Sequence, residues 1–178
     1  EYHFRAFEAI AEGICGCTDK VVISFLDCYG KTKRNMRGIP LELPDEETMK
    51  RTGERFVKTA EKYGMTVESC AETVDLSEVG VRHGSCVDPA IIERILGVPV
   101  RVKKDKNQRP ECGCVESVET GAYDTCLCGC KYCYANDSEG AVMRRREEYD
   151  VDSPLLCGRV EEEDRITVRR TSRILTGE

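Results

Sequence analysis

The stretch KVVISFLD, residues 20–27, is almost continuously apolar. A strand with one wet face alternates apolar and polar residues, whereas a strand of a parallel sheet is covered on both faces and is apolar throughout. Two further runs have strand composition, MTVESC (65–70) and VPVRVK (98–103). We therefore expect three strands that belong to one parallel sheet.

Helical segments separate these three strands. Residues 45–63 place apolar side chains at helical spacing behind the capping residue Asp45. Residues 88–97 follow the same pattern, with Asp88 as the cap and Gly97 as the terminator. This alternation of helices and strands is typical of parallel βα units in a barrel or an open doubly wound sheet. We expect an α/β fold that forms the C-terminal half of a partial TIM-like barrel.

The two ends of the chain indicate how it divides into an N-terminal and a C-terminal part. Apolar residues at helical spacing begin at Phe4 without an initiator Met or a signal peptide, so residues 1–104 are expected to be an N-terminally truncated barrel portion. Residues 105–178 begin with an irregular segment rich in Gly, Cys, Asp and Asn, a composition typical of a functional loop. We expect this second part to pack as one domain with the first, with a short helix at 141–149 and a terminal strand at 165–170.

Composition narrows the classes of function. The chain is 40% hydrophobic and 34% charged, has a formal charge of −6, and contains no apolar run long enough to span a bilayer. The basic stretches 101–109 and 144–146 have no aromatic residues interleaved with them, which disfavours nucleic-acid binding. We therefore expect a soluble protein with no membrane partner.

Twelve cysteines are a high count for 178 residues. Secreted disulfide scaffolds are usually short and rich in loops, and CxC spacings are poorly suited to internal disulfides. Reduced, metal-binding thiols in the cytoplasm fit a chain with long helices and apolar strands better. The cysteine content therefore predicts a cytoplasmic metal-binding protein.

The densest group of thiols lies in DTCLCGCKYCYAN, residues 124–136. One possibility is structural zinc, with the CxxC pair Cys130 and Cys133 completed by the CxC pair that begins at Cys112. A second possibility adds Cys126 to Cys130 and Cys133, which gives the spacing CxxxCxxC. Three thiolates in this spacing could hold three irons of a 4Fe–4S cluster and leave the fourth iron open to another ligand.

The aromatic residue before the last of these cysteines carries a resemblance. CLCGCKYC matches the CxxxCxΦC motif of radical S-adenosylmethionine (SAM) enzymes, in which Φ is aromatic. More specifically, the chain resembles an uncharacterised bacterial family whose C-terminal cysteine cluster is similar to that of radical SAM proteins. The matching segments, in family order, are VVISFLDCYGKTKRN (21–35), GVRHGSCVD (80–88), KKDKNQRPECGC (103–114), GAYDTCLCGCKYCYAN (121–136) and DSPLLCG (152–158).

This resemblance implies roles for the residues of the motif. Cys126, Cys130 and Cys133 would ligate a 4Fe–4S cluster. SAM would bind the open iron with Tyr132 beside its adenine, and its reductive cleavage would give a 5′-deoxyadenosyl radical. The chain would then be an enzyme that takes electrons from a reductant such as flavodoxin or ferredoxin. Cys128 departs from the histidine that is more usual in the family, so it is a spare thiol, a substitute for Cys126 or a donor to a ligand. The alternative function is a non-catalytic iron–sulfur or zinc protein for electron transfer or structure.

A second group of thiols is predicted at the ends of the strands. Cys70 closes the second predicted strand, and Cys112 and Cys114 follow the third. Because the carboxyl ends of parallel strands share one edge, these thiols should converge there, as should the end of the first strand at Asp27. Together with Cys86 they could enclose a second, fully ligated iron–sulfur cluster. Alternatively, they are scattered buried thiols that act as small hydrophobes.

Overall fold

The computed structural model describes residues 1–168, which form five α-helices, three β-strands and one 3₁₀ helix. The elements in chain order are α1 (Tyr2–Gly13), β1 (Lys20–Ile23), α2 (Gly30–Asn35), α3 (Glu46–Lys62), β2 (Thr66–Cys70), the 3₁₀ helix (Ser77–Val79), β3 (Arg82–Gly84), α4 (Pro89–Leu96) and α5 (Glu139–Glu147). The predicted α/β class is confirmed.

The three strands form one parallel sheet in the order β1-β2-β3. Lys20 of β1 pairs with Thr66 of β2, and Cys70 of β2 pairs with Gly84 of β3 at the other end of the sheet. The buried side chains of the main core are Ala11, Ala60, Met65, Val67, Leu76 and Val81. The predicted parallel arrangement is therefore confirmed, and the partial barrel stays a prediction. The prediction that the first strand is covered on both faces is wrong, because β1 is an outer strand of the sheet and its Val22 is 37% exposed.

The first strand is shorter than its apolar sequence predicts. It ends at Ile23, because the backbone N–H of Phe25 donates to the Glu72 Oε1 carboxylate oxygen at 2.7 Å and leaves the strand ladder. Asp27 therefore does not close the strand. The prediction that the first strand ends at Asp27 is wrong.

The third strand lies in a different segment from the predicted one. Residues 98–103 form no strand, since Val100 N–H donates to Glu93 Oε1 of α4 at 3.0 Å and the proline at position 99 lacks a ladder donor. The strand beside β2 is instead Arg82–Gly84, which follows the fully buried Val81. Its three residues are too few to produce a readable hydrophobic period.

Both predicted helix caps are present. The Asp45 carboxylate accepts a hydrogen bond from Thr48 N–H at 2.8 Å, and α3 begins at the next residue, Glu46. The Asp88 carboxylate accepts one from Ala90 N–H at 2.8 Å, and Gly97, with a φ of 69°, caps the C-terminal end of α4 after Leu96. These short-range signals were sufficient to place the two helices.

Two elements were predicted after residue 140. The predicted helix at 141–149 is present as α5, shifted by two residues toward the N-terminus and capped by Ser138. Within the predicted strand at 165–170, residues 165–168 form no strand. Residues 169 and 170 lie outside the described part of the chain.

The chain divides into two compact units. Among the described residues, the first contains 1–26 and 43–117, which include the whole sheet, and the second contains 27–42 and 118–168. The boundary drawn from sequence composition, between residues 104 and 105, lies before this division. None of the helices within residues 1–168 has both the length and the apolar character needed to cross a bilayer.

Candidate metal centres

All twelve cysteines lie within the described residues, and all have free thiols. Two groups of four stand out, and each lies within a single compact unit. We refer to Cys126, Cys128, Cys130 and Cys133 as the loop cluster. We refer to Cys70, Cys86, Cys112 and Cys114 as the strand-end cluster.

The loop that carries the loop cluster is closed at its base by backbone contacts. Asp124 has a φ of 61°, a left-handed conformation that reverses the chain just before the cysteines. Its N–H donates to Ala135 O at 3.1 Å, and its carboxylate accepts from Asp137 N–H at 2.5 Å. These contacts on both sides of the cysteines hold the loop as one compact turn.

Asn136 connects the first and last cysteines of this loop. Its side-chain amide donates to Cys126 O at 2.6 Å, and its backbone N–H donates to Cys133 Sγ at 3.3 Å. Its Oδ1 atom is buried and has no hydrogen-bond partner among the described residues. Asn136 therefore connects the backbone at Cys126 with the sulfur of Cys133 and retains one buried acceptor atom without a partner among the described residues.

A cavity of about 620 Å³ opens beside the loop. Cys126, Cys130 and Cys133 line it, and Cys128 does not. The polar and charged side chains that line the same cavity are Asn35, Lys131, Asn136, Asp137, Ser138, Glu139 and Arg146. The structure thus groups the three thiols of the CxxxCxxC spacing on one accessible volume of ligand size.

Tyr132 fastens the cysteine loop to the segment before α2. Its hydroxyl donates to Asp27 O at 2.5 Å, and its ring meets Tyr29 edge to face at a centroid distance of 6.4 Å. Lys31 of α2 adds a second fastening, since its ammonium donates to Tyr134 O at 3.0 Å. Tyr132 does not line the cavity, and its role beside an adenine stays a prediction.

Electrostatics distinguish the thiols within the loop. The backbone N–H and the thiol of Cys128 donate to the Cys126 sulfur and lower the pKa of Cys126. The same contact raises the pKa of Cys128, since its thiol is the donor. Both shifts come from one contact, in which the Cys126 sulfur is the acceptor and Cys128 is the donor.

The strand-end cluster joins two strand ends to one loop. Cys70 is the last residue of β2, and Cys86 follows the end of β3 by two residues. Their sulfur atoms are 3.4 Å apart. Cys112 and Cys114 are 4% and 8% exposed and pack together with Cys70 in a small cluster of their own. All four thiols that the sequence assigned to a second site are brought together.

Hydrogen bonds around Cys114 favour its thiolate form. Burial alone would raise the pKa of Cys114, but the backbone N–H groups of Val87 and Cys86 donate to its sulfur at 3.4 and 3.2 Å and hold that pKa below its usual value. Burial and the hydrogen bond to Cys86 raise the pKa of Cys70 to about 12. Cys114 thus loses its proton readily, whereas Cys70 keeps its proton at neutral pH. Because a metal ion binds the thiolate form, protons would compete with a metal ion for Cys70.

No three His, Cys, Asp or Glu side chains within residues 1–168 already stand in an arrangement that could hold a metal ion. The thiols are gathered, and metal binding would require their side chains to rotate. The other four cysteines, Cys15, Cys17, Cys28 and Cys157, belong to neither cluster. A further cavity, of about 730 Å³ around Glu147–Val151, has no cysteine in its lining.

Sequence reasoning missed two residues that shape these centres. Asn136 is the last residue of the quoted motif stretch, and only the folded loop reveals its contacts with both ends. Gly113 separates the CxC pair, and a Cβ atom there would lie 3.2 Å from Gly84 O, so glycine allows the loop to approach β3. The glycine between the two cysteines of the CxC pair is the sequence feature that could have predicted this close backbone contact.

Comparison with known proteins assigns the chain to a protein family. No curated protein and no solved structure matches the chain. A family model described as "Domain of unknown function (DUF1848)" matches residues 1–135, a range that includes all eight cysteines of the two clusters. The match covers well over half of the chain and confirms that an uncharacterised family was identified from the sequence. The chain belongs to the DUF1848 family.

Proposed function

We propose that this protein binds a 4Fe–4S cluster through Cys126, Cys130 and Cys133 and is an enzyme of radical SAM type. The observation that carries this proposal is the shared cavity, which these three thiols line and Cys128 does not. A three-thiolate site leaves one iron open, and an open position is what distinguishes reactive metal sites from structural ones. The proposal includes a partial TIM-like barrel, of which the three parallel strands would be a part.

The donor set of the loop fits such a cluster. The three thiols are free and accessible, and the N–H of Asn136 donates to the Cys133 sulfur. Hydrogen bonds of this kind tune the potential of an iron–sulfur cluster. When bound, the cluster and SAM supply a one-electron reductive cleavage of SAM to methionine and a 5′-deoxyadenosyl radical, with the electron from a flavodoxin or ferredoxin.

The cavity offers groups that suit the amino-acid end of SAM. Arg146 and Lys131 could pair with a carboxylate, and Glu139 could pair with an ammonium group. The buried Oδ1 of Asn136 could accept a further hydrogen bond. These residues would orient a zwitterionic ligand and exclude water around it, which is the part of the chemistry that belongs to the protein.

A second candidate function is a closed, non-catalytic metal site in the same loop. The fourth thiol, Cys128, lies close enough to Cys126, Cys130 and Cys133 for their charges to raise its pKa. A site with four thiolates would have no open position for SAM. Such a protein would transfer electrons or hold structure.

Two cysteine variants separate these possibilities. The chain would be reconstituted anaerobically with iron and sulfide, and both elements would be measured per chain. Cys130→Ala should lose most of the iron and sulfide, because no alternative spacing omits Cys130. The matched control is Cys128→Ala, which removes an exposed thiol from the same loop and should retain the cluster. Equal loss in the two variants would favour the closed site.

The enzyme proposal has its own assay. The reconstituted protein would be incubated with SAM and a strong reductant, and 5′-deoxyadenosine would be quantified. Product formation that requires Cys130 supports the radical SAM type. A stable cluster without cleavage, and without any change in its electron paramagnetic resonance spectrum on addition of SAM, would favour electron transfer.

A further inference from the structure

We propose that the strand-end cluster is a closed site for one tetrahedral metal ion, Zn²⁺ or Fe²⁺, and not a second iron–sulfur cluster. It lies entirely in the unit that contains the sheet, so the proposal does not rest on the function proposed for the loop cluster.

The parallel sheet brings the first two thiols together. Cys70 ends β2 directly opposite Gly84, which ends β3, and Cys86 follows two residues later. Ala71 has a φ of 54°, so the chain turns sharply away once Cys70 has been placed. The thiol at the end of β2 and the thiol just after β3 therefore lie next to each other at the carboxyl ends of these strands.

The CxC pair reaches this edge through backbone hydrogen bonds. Val115 N–H donates to Val87 O at 3.1 Å, and Asp105 N–H donates to Cys114 O at 3.0 Å. The ring nitrogen Nε2 of His83 lies 2.6 Å from Glu111 O, next to the first cysteine of the pair. These contacts hold the pair on the segment that follows β3.

The distance between sulfur atoms favours a single ion. Around one zinc ion with bonds of about 2.3 Å, tetrahedral geometry places neighbouring sulfurs about 3.8 Å apart. Cys70 Sγ and Cys86 Sγ are 3.4 Å apart, close to that edge length. In a 4Fe–4S cluster each thiolate binds a different iron, which holds the thiolate sulfurs much farther apart. The separation of Cys70 Sγ and Cys86 Sγ is therefore closer to that expected around a single ion than to that expected around a cube of iron and sulfide.

The surroundings also suit a structural thiolate site. Two backbone N–H groups already donate to Cys114 Sγ, and outer hydrogen bonds of this kind orient and stabilise a metal-bound thiolate. Cys112 and Cys114 are buried, whereas Cys86 is exposed and gives an ion access from solvent. Rotation about the Cys side-chain torsions is the adjustment that would point all four sulfurs at one centre.

Metal content of the full chain tests the proposal. Protein prepared without added iron would be loaded with Zn²⁺ and, in parallel, with Co²⁺, whose visible absorption reports tetrahedral thiolate ligands. Cys130→Ala disables the proposed loop site and should still bind about one ion per chain without sulfide. Adding Cys86→Ala to that background should weaken binding by about 100-fold or more and abolish the cobalt–thiolate spectrum.

Two further variants keep the test decisive. Cys17→Ala removes an exposed thiol of the same unit and, in the Cys130→Ala background, should leave binding unchanged. Cys112→Ser tests a buried ligand, with circular dichroism to confirm that the chain still folds. Full metal binding by folded Cys86→Ala and Cys112→Ser proteins would overturn the proposal. So would acid-labile sulfide in the Cys130→Ala protein, or a Cys70–Cys86 disulfide in metal-free protein purified anaerobically.

Discussion

Asn136 controls the shape of the cysteine loop through one side chain. Its amide nitrogen reaches Cys126 O, and its backbone N–H reaches the Cys133 sulfur, so the two ends of the motif are connected by a residue that is not itself a ligand. A residue in this position orients the thiols before a metal arrives, and loss of such support commonly weakens metal binding about 10- to 100-fold.

We predict that Asn136→Ala weakens cluster retention by about 10- to 100-fold, because the Cys126 end of the loop loses its fastening. The readout is the rate of iron release to a chelator under anaerobic conditions, followed by the visible absorption of the cluster. Asn35→Ala is the matched control, since Asn35 lines the same cavity and no hydrogen bond from it to Cys126 or Cys133 is present. Equal rates of iron release from the wild-type and Asn136→Ala proteins would show that Asn136 does not position the cluster ligands.

At the scale of elements, the start of α4 is fastened to the sheet by a charge network. Lys20 of β1 lies 2.8 Å from Glu68 of β2 and 2.8 Å from Asp88, the N-cap of α4. All three side chains are at most 17% exposed, so this is a largely desolvated network and not a surface ion pair. The hydrogen bond from Lys20 lowers the pKa of Asp88, against the opposing effect of burial.

The sign of the pH dependence follows from that lowered pKa. Ionised Asp88 stabilises the fold above its unfolded-state pKa of about 4, and this contribution is lost as the pH falls through the folded-state value. We predict that Asp88→Asn, which keeps a capping side chain, lowers the free energy of unfolding by about 1–3 kcal/mol at pH 7. The difference from the wild type should shrink as the solution is acidified below pH 4.

Urea unfolding at pH 7 and at pH 3 measures this difference. Asp45→Asn is the control, because Asp45 caps α3 from an exposed position and has no comparable buried partner in the contacts described. It should cost less than Asp88→Asn. A difference between wild type and Asp88→Asn that is the same at both pH values would show that Lys20 does not favour the charged form of Asp88.

At the scale of the whole molecule, the two proposed centres differ in chemistry. The loop cluster would hold iron and sulfide in an accessible site, and the strand-end cluster would hold one ion between two buried thiols, Cys112 and Cys114, and two less buried ones. Exposed iron–sulfur clusters are open to oxidation, whereas Zn²⁺ has no redox chemistry of its own. The two sites should therefore respond differently to air.

We predict that air removes iron and sulfide from the loaded protein while bound zinc remains. Iron, sulfide and zinc per chain would be measured before and after exposure, with Cys130→Ala as the control that starts without the cluster. That control should keep its zinc throughout. Loss of zinc in proportion to iron would show that the two metals share one site.

The amino-acid sequence by itself determined the fold class, the two capped helices, the position of the first strand and the CxxxCxxC spacing. These features depend on neighbouring residues, since a cap, a helical stripe or a metal-binding spacing is complete within a few positions. The gathering of Cys70 with Cys112 was also anticipated, although one strand on which that expectation depended lies elsewhere.

Tertiary structure alone decided where the strands end and how close the thiols approach. Phe25 leaves the sheet because a side chain distant in sequence, Glu72, takes its backbone N–H. β3 forms from three residues because it completes a ladder beside β2, and not because of its own composition. The 3.4 Å between Cys70 and Cys86 likewise depends on the register of two paired strands. Hydrogen-bond competition and strand register involve partners far apart in the chain, and no local pattern records them.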